Sequence, residues 1–291
     1  MRWTPGGNSD DVEDRRDDSG SGGMQFGGIH LGLGGTVLLI VLSLIFHRNF
    51  LALLGNGGPS VSTSQSQRAE GGPVNRAQDQ AEQPLVQFVT FVLNDTQSTW
   101  GKILSSTENV PYRHAKLVLF RHSINSACGM AESATGPFYC PENEKVYIDL
   151  AFYDELKRRF GAPGEFAEAY VLAHEIGHHV QKLLGIEAKV RAAQERNPSM
   201  AKAYSVRLEL QADCFAGVWA HTTDQRHLLE AGDVDQALKA ASAVGDDNLQ
   251  RMSTGHVNPD TFTHGSSAQR THWFQQGFTG GTIESCNTFQ N

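Results

Sequence analysis

The sequence predicts an α+β domain, mostly helical with a small sheet, carried behind an N-terminal transmembrane helix. Three observations lead to that class. Two short β-rich runs sit between long stretches of helical periodicity. An apolar run of 18 residues, Ile29 to Phe46, precedes them. A Gly-, Ser- and Gln-rich stretch separates that run from everything able to fold. The chain has 291 residues, 39% hydrophobic and 19% charged, which fits one sizeable core with polar padding. Its net charge of −8 argues against a nucleic-acid partner.

Residues 1–23, "MRWTPGGNSDDVEDRRDDSGSGG", hold six acids against three arginines and few apolar residues. Too little surface can be buried there to offset the ordering entropy, so a disordered acidic tail is expected. Residues 24–54 contain the apolar run, long enough to enter the lipid bilayer as a retained anchor through residues 29–46. A cleaved signal peptide would have a short basic start, whereas this start is long and acidic. Residues 55–83 read as a flexible linker, and residues 84–291 as the folded domain.

Within that domain, "QPLVQFVTFVLNDTQSTWGKIL" carries Leu85, Phe88, Val89, Val92 and Leu93 on one helical face. "AKLVLF" (Ala115 to Phe120) and "KVYIDL" (Lys145 to Leu150) are β-rich strands, and the second is a candidate edge for an extended peptide. "AFYDELKRRF" is helical until "GAPG" stops it. A further helix runs from about Glu165 to Leu184 and ends at Gly185. Helical pattern then continues to about Val244, with a short helix near Ala268 to Gln276.

The four cysteines, at 128, 140, 214 and 286, form no C-x-x-C, which removes a zinc ribbon or a thioredoxin-type site. Their even number beyond a membrane anchor favours disulfides. Cys128–Cys140 closes a short Gly- and Pro-containing loop, and Cys214–Cys286 is then the remaining pair. Basic residues flank the apolar run almost evenly, so the cysteines set the orientation. A single-pass protein of a bacterial inner or cell membrane is expected, with the N-terminus cytoplasmic and the domain periplasmic or extracellular.

The chemistry concentrates in "AYVLAHEIGHHVQKLLGI" (Ala169 to Ile186). His174, Glu175 and His178 read H-E-x-x-H, which places two imidazoles four residues apart on one helical face. Two surface histidines would be the ordinary alternative. The uncharged residues around the motif instead point to a buried helix, and buried imidazoles need partners. Gln181 and Leu184 stand where an H-x-x-G-x-x-H extension would place Gly and His, so a third ligand must come from farther along. "YSVRLELQADCFAGVWA" offers Glu209 and Asp213, four apart on another apolar helix. One can face a metal while the other accepts the free N–H of a ligating imidazole.

The segments from "CGMAESATGPFYC" through the H-E-x-x-H helix, with "RLELQADCFAGVWA" and "HGSSAQRTHWFQQGF…CNTF", resemble the bacterial putative neutral zinc metallopeptidase family. The resemblance spans the anchor, the linker and nearly all of the folded domain. It implies a zincin-like, gluzincin-type domain binding one Zn2+ through His174, His178 and Glu209. It also implies Glu175 as base, Asp213 beside His174, and a peptide or protein substrate. Metal-assisted hydrolysis needs a further donor for the oxyanion. His264 in "THGSSAQR" is the first candidate, with Arg270, Tyr204 and His256 behind it. The competing reading is a membrane-tethered zinc-containing scaffold without turnover, for which Glu175 would have no use.

Overall fold

The computed structural model describes residues 1–5, 9–18, 76–132 and 136–290. The apolar run 29–46 and the linker up to residue 75 lie outside the described residues. No helix among the described residues is long and apolar enough to cross a membrane.

Residues 1–5 and 9–18 are not the disordered tail that their composition suggests. Strand β1 (Val12–Asp14) pairs in parallel with β2 (Lys116–Phe120), matching Val12 to Leu117 and Asp14 to Leu119. Met1 is buried in the main core, Trp3 packs on Phe88, and the Arg2 N–H donates to the Leu228 carbonyl. Arg16 is 5% exposed and paired with Asp14 and Glu82. The acids that argued for disorder mostly have partners: Asp11 meets Lys116 and His114, and Glu13 meets Lys145. Exposed pairs such as Arg15–Asp18 contribute only about 0–1 kcal/mol, whereas burying a side chain like Met1 contributes about 1.5–3 kcal/mol. Apolar docking and strand pairing therefore hold this segment.

Helix α1 (Arg76–Ile103) begins earlier than expected, inside the stretch read as linker. Its first turns contain Ala, Gln and Glu with no glycine, and Asp79 and Glu82 are fixed by Arg121 and Arg16. That helps the helix run through Pro84. Its buried face is Phe88, Val89, Val92, Leu93 and Trp100.

Strands β3 (Ser123–Ser126) and β4 (Gly129–Glu132) form a separate antiparallel hairpin. Strand β5 (Phe138–Cys140) pairs antiparallel with β6 (Lys145–Asp149), and the sheet order is β1-β2-β6-β5. "KVYIDL" is thus an interior strand, and the exposed edge near the helices belongs to β5. Both sheet faces are covered, which is why β2 reads as a continuous apolar run. Leu117, Leu119, Val146 and Ile148 join the main core, while Val118, Phe120 and Tyr147 pack with Ile124 and Ala131 beneath the hairpin.

The remaining elements are helical: α2 (Ala151–Arg158), α3 (Glu165–Leu183), α4 (Ile186–Arg196) and α5 (Ala201–Gln225). They are followed by α6 (Asp233–Ala243), α7 (Asp246–Thr254) and α8 (Ser267–Gly280). The chain leaves α3 through Gly185 at φ 68°, a left-handed position suited to glycine. Two disulfides are present. Cys128–Cys140 ties the hairpin turn to β5, and Cys214–Cys286 ties α5 to the C-terminal turn.

Candidate metal centre

Helices α3 and α5 cross at Gly177, inside the H-E-x-x-H motif. A Cβ there would lie 2.9 Å from the Ala212 carbonyl oxygen and 3.1 Å from its Cα. Only glycine allows this approach, and the approach brings the carboxylates of α5 to the imidazoles of α3. Helix α8 closes against α5 in the same way, since a Cβ on Gly277 would overlap the Cys214 carbonyl.

Both motif histidines are held by Nδ1. His174 donates Nδ1–H to Asp213 Oδ1 at 2.9 Å, and His178 donates Nδ1–H to Gln181 Oε1 at 2.9 Å. This tautomer leaves both Nε2 lone pairs facing Glu209. His174 Nε2 lies 3.2 Å from Glu209 Oε2, and His178 Nε2 lies 3.5 Å from Glu209 Oε1. Donor atoms of the three residues all fall within 4.8 Å of one another. Tetrahedral zinc with bonds of about 2.0–2.1 Å separates its ligand atoms by about 3.3 Å. Each imidazole Nε2 lies about that far from one Glu209 oxygen, and one donor atom from each residue falls within 4.8 Å of the others, so the set can close around a zinc ion.

The electrostatics agree. Burial opposes charge on His174, yet Asp213 and Glu209 raise it to about 10. His178 is raised against burial by Glu209, and Glu209, which burial pushes up, is nevertheless held well below the carboxylate range by the two imidazoles. The cluster favours positive charge at its centre. Glu175, next to His174 in the chain, is pushed up by burial against the pull of both histidines.

Asp213 is completely buried and accepts four hydrogen bonds from three side chains. His174 and the Tyr170 hydroxyl donate to Oδ1, and the Arg270 guanidinium donates to Oδ2 through Nε at 2.8 Å and to Oδ1 through Nη2 at 2.9 Å. A buried carboxylate needs such a cationic partner. On the other side, Gln181 donates to the Leu208 carbonyl and to Gln211, so the His178 partner is itself fixed to α5. Gln181 and Tyr170 were missed from sequence, although Gln181 stands three residues after His178 on one helical face.

The third histidine of the motif, His179, faces the other way. It meets the Arg113 carbonyl through Nε2 and the Tyr139 hydroxyl through Nδ1, which joins α3 to β5. The centre opens into a cleft of about 890 Å³ lined by Phe138, Tyr139, Glu175, Arg191, Leu208 and His264, among others. Of the four candidate oxyanion donors, His264 and Arg270 line this cleft, but Arg270 is occupied by Asp213. Tyr204 lines a different cavity beside Cys286, and His256 is an exposed loop residue. His264 Nδ1 lies 3.1 Å from Asp246, whose other oxygen accepts the backbone N–H groups of Thr263, His264 and Gly265.

These contacts rank two substitutions. Glu209→Ala removes a donor atom and is expected to abolish stable zinc binding, measured by titration against a competing chelator. Asp213→Asn leaves the donor set intact and is expected to weaken zinc by about 10–100-fold. The reverse order would exchange their roles.

The chain is 48% identical to uncharacterized protein YpfJ of Escherichia coli (strain K12) over 294 residues, covering 99% of each chain. It is 42% identical to uncharacterized protein Rv2575 of Mycobacterium tuberculosis over 207 residues, covering 67% of this chain and 68% of that one. No solved structure gives a significant match. The "Putative neutral zinc metallopeptidase" family model matches residues 1–289. A match of that extent, over a chain holding two histidines and a glutamate around one point, makes this protein a member of the putative neutral zinc metallopeptidase family.

Proposed function

We propose that the chain is a zinc-dependent peptidase attached to the bilayer through residues 29–46, with its domain on the outer face. The observation that carries the catalytic reading is Glu175. It lies in the wall of an open cleft, next to a two-histidine, one-glutamate centre, and the contacts above give it no role in holding a metal. The donor set and the family support a gluzincin-type, zincin-like assignment. The two disulfides support an oxidising compartment.

His174, His178 and Glu209 would hold a zinc ion, which would supply Lewis acidity to a bound water and to the scissile carbonyl. The chain's own groups do the rest. Glu175 accepts the water proton and passes it to the leaving amine. Asp213 and Gln181 hold the ligating imidazoles in their tautomers. Strand β5 offers its outer edge to an extended peptide, which would run beside Tyr139 and the centre. Cys128–Cys140 and the Tyr139–His179 contact hold that edge in place.

His264 is the donor for the developing oxyanion. The Asp246 carboxylate fixes its Nδ1 and raises its pKa, burial opposes the rise, Glu209 adds to it and Arg270 works against it. His264 thus carries its proton to higher pH than a free imidazole and can offer Nε2–H to the cleft.

Two experiments test this reading. With an unfolded protein as substrate, Glu175→Gln is expected to retain one zinc and lose about 10²–10⁴-fold in kcat. Cleavage at the wild-type rate would contradict the mechanism and favour the scaffold reading. For His264, Asp246→Asn removes the group that raises its pKa. The alkaline limb of the pH–rate profile should therefore move to lower pH, and His264→Phe should lower kcat by about 10²–10³-fold. An unmoved alkaline limb would remove His264 from the reaction.

A further inference from the structure

We infer that residues 1–18 and the metal-centre domain lie on the same side of the membrane. The inference is independent of the catalytic reading.

Three observations carry it. First, β1 is an integral strand of the domain's sheet, in parallel register with β2 from Val12 to Asp14. The contacts of Met1 and Trp3 continue this docking onto the helices. Withdrawing the segment would uncover the β2 edge and leave Lys116 and Lys145 without Asp11 and Glu13.

Second, the two ends of the intervening chain meet at one corner. Arg16 Nη1 is 2.6 Å from Glu82, and Arg121 Nη2 is 2.6 Å from the same carboxylate and 2.7 Å from Asp79. Arg121 also lies 3.6 Å from Asp17 and donates to the Arg16 carbonyl. Arg16 and Arg121 are both shielded from solvent here, so this is a built junction and not a chance meeting of surface charges.

Third, the sequence provides only one apolar run between these ends. After Phe46 it continues "HRNFLALLGNGGPSVSTSQSQRAEGGPVN" to Asn75, with no second stretch of about 20 apolar residues able to return through hydrocarbon. A single crossing by residues 29–46 would put Asp18 and Arg76 on opposite faces, separated by about 30 Å of hydrocarbon. The Arg16–Glu82 and β1–β2 contacts cannot coexist with that. Attachment from one face is compatible with both. The arrangement expected from sequence, tail inside and domain outside, is excluded while β1 occupies the sheet.

Single cysteines test this in the full-length protein in its own membrane. Thr4 and Ser199 are exposed, and the four native cysteines are paired. Thr4→Cys and Ser199→Cys are treated with a membrane-impermeant maleimide in intact cells and again after permeabilisation. The expected result is labelling of both in intact cells. Labelling of both only after permeabilisation would still support the shared side while overturning the outer placement of the domain. Labelling of one position in intact cells and the other only after permeabilisation would overturn the inference.

Discussion

The site depends on one buried charge. Asp213 has no access to water, so its carboxylate must be satisfied from within the protein. Tyr170 and His174 come from α3, Arg270 comes from α8, and Asp213 itself stands on α5. Satisfying one carboxylate thereby fixes three helices relative to each other and sets the tautomer of the His174 imidazole. The glycines at the crossings, Gly177 and Gly277, make room for this approach. Glu209, one helical turn before Asp213, is then carried to the Nε2 atoms of both histidines.

Around that centre the fold separates tasks. Helix α3 is tied to α5 by the Gln181–Gln211 contact, and α5 is tied to the C-terminal turn by Cys214–Cys286 and by Gln211 donating to the Cys286 carbonyl. The cleft wall opposite is made from β5, a three-residue strand held by Cys128–Cys140 and by His179. His264 enters from the loop before α8, placed by three backbone N–H bonds to Asp246. Rigid helices thus present the donors, and a clamped strand and loop define the space beside them.

The legible part of the site was the part written at helical spacing. H-E-x-x-H and E-x-x-x-D place their side chains by local geometry alone, so His174, His178, Glu209 and Asp213 stand out in the sequence. Arg270 and Asp246 act across long separations that no local period records. Arg270 was noticed only as an oxyanion donor, and it serves Asp213 instead. The long helices and β2 and β6 were legible from periodicity and β-propensity, whereas β5 is too short to announce itself. The N-terminal segment misled for a physical reason. Its acids look like the mark of disorder until their partners, His114, Lys116 and Lys145, are brought in from a hundred or more residues away.

A zinc ion held by two imidazoles and one carboxylate would keep one coordination position for water. X-ray absorption at the zinc edge of the purified full-length protein tests it without reference to any substrate. The expected spectrum has a low-coordinate shell of nitrogen and oxygen at about 2.0–2.1 Å, with outer scattering from two imidazoles and no sulfur. A sulfur shell at about 2.3 Å, or outer scattering that requires three or more imidazoles, would contradict it.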